Sequence, residues 1–114
     1  MGLKELLEKI RRTPEIVEFD EVMQVLNDHY TYTPSPFVNG EMNNAAGENE
    51  GSCKIFAFAL LHALDSEQTL ACFGKYYRDD VLGEPEGSNH QNIRSFMRNG
   101  WRGIEFSRPA LAAK

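Results

Sequence analysis

Gly47-Glu48-Asn49-Glu50-Gly51-Ser52-Cys53-Lys54-Ile55-Phe56-Ala57-Phe58-Ala59-Leu60-Leu61-His62-Ala63-Leu64 is the stretch that decides the fold. A polar, glycine-bracketed loop runs into a segment that is apolar on every side. From Ile55 to Leu64 only His62 is polar. A helix apolar all round belongs in the middle of a domain. The run is shorter than the ~18 apolar residues that mark a membrane span. The expectation is a buried central helix with Ser52 as its cap and Cys53 as its first or second residue. Phe56 and Leu60, four apart, are both expected inside it.

Upstream, Leu3, Leu6, Leu7 and Ile10 recur at helical spacing among charged residues and predict an amphipathic first helix. Thr13-Pro14 ends it and opens a short turn. Asp20 is expected to cap a second helix through Val22, Val25 and Leu26, ending near His29-Tyr30. Thr31 to Val38 is extended, with Pro34 and Pro36 confining it to an edge. Asn39-Gly40 is a turn signal, and Glu41 to Gly51 reads as a polar loop.

Downstream, Asp65 or Ser66 caps a short helix stopped by Gly74, and Lys75 to Leu82 forms another. After the loop Gly83 to Gly87, Ser88 or Asn89 caps a last helix closed by Gly100. Trp101 to Phe106 reads as a strand whose partner is Tyr32 to Val38. The fold class is α+β: a mostly helical single domain over 1–114 with a small two-stranded sheet. Residues 107–114 read as a frayed tail.

The chain has 114 residues, enough for one core without staples, so Cys53 and Cys72 are expected as reduced thiols. A net charge of -5 argues against nucleic acid and against an anionic membrane as partners. Met1 to Arg12 lacks the apolar core of a secretory signal, and Leu6 breaks the myristoylation pattern after Met1-Gly2. Synthesis and folding in the cytosol are the expectation.

Several separated motifs occur in one order. They are Asn39-Gly40; Ala46 through Ala59; Thr69-Leu70-Ala71-Cys72-Phe73-Gly74; Tyr76-Tyr77-Arg78 with Val81-Leu82; His90 through Met97; and Gly100-Trp101-Arg102-Gly103-Ile104. In these the chain resembles the HopJ type III effector family, from about Leu3 to Phe106. The resemblance implies a small bacterial protein delivered into a host cell by type III secretion. It implies a binding or interaction module and brings no biochemical activity. The partner it implies is a host protein or a small molecule.

The residues also permit chemistry. A thiol at a helix start is favoured as thiolate by the helix dipole. With Cys53 as nucleophile, His90 is the best base, and Asn92, Asp79 or Asp80 could orient it. That set, Cys53, His90 and Asn92, would make a thiol hydrolase of the protease or amidase kind. The papain-like local signature is absent, and free cysteines commonly serve as small buried hydrophobes. His90 is equally well read as a loop-holding residue, and His29 and His62 as isolated helical histidines, His62 at the core or its boundary. No Cys, His and carboxylate spacing is that of a zinc site, so neither a metal nor a cofactor is expected.

The start Gly47-x-x-x-Gly51-Ser52-Cys53-Lys54 is not a phosphate loop, because Lys does not follow the second glycine directly. Bare amides with Ser52 and Lys54 would still suit an anion, against the charge of Glu48 and Glu50. Asn39, Asn43, Asn44, Asn49, Asn89 and Asn92 would line an amide-recognising pocket, or simply serve turns. Arg94 and Arg98 share a helix face. The binding candidates are Asn49, Ser52, Lys54, Asn39 and Arg94. A pocket of this kind in a cytosolic housekeeping protein is the second alternative to an effector.

Overall fold

A computed structural model describes residues 1–114. Helix α1 (Leu3–Arg12) is followed by a 3-10 turn (Pro14–Ile16), as Thr13-Pro14 predicts, and by α2 (Phe19–His29). The first residue of α2 precedes Asp20. Its cap is Glu18, whose amide donates to the Glu21 carboxylate at 2.7 Å. Strands β1 (Tyr30–Tyr32), β2 (Phe37–Asn39) and β3 (Met42–Asn44) lead into α3 (Glu50–Leu61). Then come α4 (Ser66–Ala71), a π-helical turn (Tyr76–Val81), α5 (Gln91–Asn99), a 3-10 turn (Gly100–Gly103), β4 (Ile104–Phe106) and β5 (Leu111–Ala113).

The α+β class and the single core are as expected, but the sheet is larger than two strands. Strands β3-β2-β4 form one antiparallel sheet and β1-β5 another. The extended segment from Thr31 to Val38 is therefore split: Pro34 and Pro36 cannot donate to a ladder, and the chain changes sheets between them. Only its second half pairs with the strand after Trp101, Phe37 facing Phe106 and Asn39 facing Ile104. The loop expected after Gly40 begins with a hairpin strand, β3, turned at Gly40 (φ +62°).

The tail is a further correction. Residues 107–114 do not fray as a whole. Thr33 donates to Ala110 O, Leu111 to Ala113 pair with β1, and Ala110 and Leu111 are buried. The apolar pair Ala110-Leu111 seals the core beside Tyr30, which outweighs the entropy of ordering a terminus.

Helix α3 runs through the centre, and its two flanks explain why it is apolar all round. Phe56 is fully buried among the rings of Phe37, Phe73, Phe96 and Trp101, at 6.0, 5.6, 5.0 and 6.3 Å between centroids. On the other flank Phe58 meets Tyr30 and His62. Leu6 and Ile10 of α1 and Val22, Val25 and Leu26 of α2 complete that side of the core. The last turn escapes: Leu60 and Leu61 are about half exposed, so Leu60 is not the core residue the pattern suggests. His62 is half-buried and bonds the Tyr30 hydroxyl; burial, and then the nearby Arg11 charge, push its pKa down.

Candidate functional site

Helices α3 and α5 begin side by side, on an open cavity of about 210 Å³. Asn49, Gly51 and Ser52 line it from α3, His90, Gln91 and Asn92 from α5. Both caps, Asn49 and His90, take left-handed backbone (φ 50° and 51°), and neither caps its helix through its side chain. The amides of Gly51, Ser52, Gln91 and Asn92 make no bond within the protein, as at any uncapped helix start. Both helices start at residues other than Ser52 and Ser88 or Asn89, the caps suggested by composition. Phe19, Phe73 and Tyr76 form the aromatic wall; Phe19 and Tyr76 meet edge to face at 5.0 Å. The His90 ring lies tilted against Tyr76, 5.2 Å between centroids, and pairs with Asp80 at 3.0 Å.

Beneath the cavity lies a buried amide cluster. Asn39 Nδ2 donates to the Asn92 backbone carbonyl at 2.8 Å and to Asn92 Oδ1 at 3.1 Å. Asn44 and Asn92 exchange side-chain bonds at 3.1 and 3.0 Å, and Asn49 donates to Asn44 Oδ1 at 2.8 Å. Ser95 Oγ ties α5 to Asn39 O at 2.7 Å. These bonds fix the β2–β3 hairpin against the starts of α3 and α5. Of the six asparagines read as one pocket, four meet here and bond one another, with the buried Asn39 Oδ1 left without a partner. Asn43 is exposed on β3, and Asn89 instead accepts from Arg94.

Cys53 is the fourth residue of α3, not the first or second, and its amide is already bonded to Asn49 O. Its side chain is 1% exposed and aims at Ser35 O, 3.6 Å away. Burial pushes the Cys53 thiol up, outweighing the lowering by Tyr32 and Lys54. The Tyr32 hydroxyl, also buried, lies near Cys53 and Glu50 without a well-formed bond to either, and burial first and then Glu50 raise its pKa strongly. No hydrogen bond joins Cys53 to His90 or His90 to Asn92. Cys72, at the end of α4, is fully buried and pushed up to about 12 by desolvation.

The five binding candidates separate in space. Asn49 and Ser52 line the cavity, with Asn39 in the cluster under it. Lys54 sits over the Tyr32 ring, 4.8 Å from its centroid. Arg94 lies on another face of α5, in the wall of a different cavity. Of the three residues offered to orient His90, Asp80 does pair with it, and Asn92 makes no bond to it. Sequence reasoning passed over Phe19 and Phe73, which line the same cavity; nothing in their spacing signals it.

The family described as HopJ type III effector protein matches residues 3–111. A solved structure, "Crystal structure of unknown function protein VPA0580", is similar throughout. It shares 55% identity, with a TM-score of 0.98, over 100% of this chain and 95% of that one. None of the curated proteins matches the chain.

Proposed function

The chain belongs to the HopJ type III effector protein family, and from that premise we propose that it is delivered by type III secretion and acts as a binding module without catalysis of its own. The observation that carries the second half is the state of Cys53. A nucleophilic thiol needs access and a base within hydrogen-bond reach. Here the thiol is sealed in the core, raised in pKa and turned to a backbone carbonyl, and no hydrogen bond joins it to His90. The open recesses beside α5 supply surfaces for recognition.

The test is alkylation by iodoacetamide from about pH 5 to about pH 9, a range bracketing ordinary and activated thiols, with each cysteine read by mass spectrometry. Native Cys53 and Cys72 are expected to stay unmodified over a time in which the denatured chain is fully labelled, with no effect of His90→Ala on Cys53. Labelling of native Cys53 near neutral pH, slowed by His90→Ala, would favour the thiol hydrolase instead. Delivery is tested separately: the full chain should reach the medium of a secretion-competent strain and be retained by its apparatus-deficient counterpart. Equal release from both would remove the effector reading.

A further inference from the structure

The second recess beside α5 has a volume of about 370 Å³ and differs in chemistry from the first. Val81, Leu82, Pro85 and Met97 give it an apolar wall, and Arg94 and Arg98 give it cations. Arg94 is only 6% exposed. Its Nε and Nη2 donate to Asn89 O and Oδ1 at 2.6 and 2.7 Å, and Nη1 donates to Pro85 O at 3.2 Å. Every acceptor is neutral, and no carboxylate lies within ion-pair distance. Clamping the Pro85 to Asn89 loop explains those bonds. It does not explain the charge, since a neutral donor would clamp without the cost of desolvating a cation.

A guanidinium has five N–H donors. Three are used, which leaves one on each terminal nitrogen for an anionic group to accept. Gly87 makes the arrangement possible: a Cβ there would stand 2.7 Å from Nη2. Arg98, one turn further along α5, sits at the rim, paired with Glu41. Glu86 is the one carboxylate in the lining; it is exposed and bonds neither arginine. The volume falls in the range of small-molecule sites.

We propose that this recess binds a small amphiphilic anion, with a carboxylate or phosphate on the free donors of Arg94 and an apolar portion against Leu82 and Met97. The inference deepens the binding-module reading and rests on it. The probes are sodium hexanoate, hexyl phosphate and hexan-1-ol, titrated into the isotopically labelled full chain while backbone amide shifts are followed. Hexanoate or hexyl phosphate, or both, should move the amides of Leu82, Gly87 and Met97, and their relative affinity tells carboxylate from phosphate. Hexan-1-ol should bind at least about tenfold more weakly, the loss expected for a charge-assisted bond.

Arg94→Gln should weaken the anions by a similar factor. Should that variant lose its folded spectrum, Met97→Glu decides, since Met97 is exposed and its replacement sets a like charge beside the anion. Equal binding of hexan-1-ol, wild-type affinity in Met97→Glu, or shifts confined to other regions would overturn the site. None of those results touches the alkylation of Cys53. Conversely, a reactive native Cys53 would end the binding-module reading without moving these shifts.

Discussion

Phe56→Ala is expected to destabilise the protein by roughly 3–5 kcal/mol, the cost of emptying a fully buried aromatic site. Phe56 has no exposed surface and touches rings from β2, from the turn that follows α4, from α5 and from the 3-10 turn after it. Those neighbours belong to separate elements, so none can collapse into the hole without dragging its own element. Against a total of ~5–15 kcal/mol, the variant keeps little margin or none. Urea unfolding checks it, with Leu60→Ala as the comparison. Leu60 lies four residues along the same helix yet is half exposed, and its truncation should stay within about 0.5–1 kcal/mol of wild type. A Phe56→Ala midpoint within error of wild type would show that α3 is not the centre of the core.

The second large effect is expected at Asn92→Leu. The change keeps the approximate volume and removes three side-chain bonds, those to Asn39 Nδ2, Asn44 Nδ2 and Asn44 Oδ1. Asn44 Nδ2 would keep only a long contact to Phe37 O at 3.4 Å, inside a buried cluster. Stranding buried amides in this way costs about 2–4 kcal/mol. The same urea measurement reads it. An unchanged midpoint would show that the amide cluster contributes nothing to stability.

Most helices were legible because their signals are local. Leu6 and Ile10 mark one face of α1, Asp65 caps α4 and Gly100 closes α5, each within a few residues of its effect. The starts of α3 and α5 were misplaced for one shared reason. Asn49 and His90 reach their helices through left-handed backbone, with no side-chain cap to announce it, while Ser52 and Ser88 offered more familiar caps nearby. That slip of a few residues decided how Cys53 reads, since a thiol in the fourth position faces the core rather than the open amides. Strands β3 and β5 carried no signal of their own. Met42-Asn43-Asn44 and Leu111-Ala112-Ala113 are poor strand formers, held by partners distant in sequence. The amide cluster was half visible: the asparagines were conspicuous, but only the fold shows which four meet.

The pairing of β1 with β5 also has a consequence in time. Tyr30 finds its partner at Ala113, and Phe37 finds one of its partners at Phe106, both far away in sequence. Closing such long loops costs entropy before any ladder rewards it, which slows folding and makes it cooperative. While the chain is being synthesised, α1 and α2 lack the surface they pack on until α3 has followed. The core stays unsealed until Ala110 and Leu111 arrive. A nascent chain of this design therefore stays pliable until residues 110–113 have been made, and becomes rigid only then.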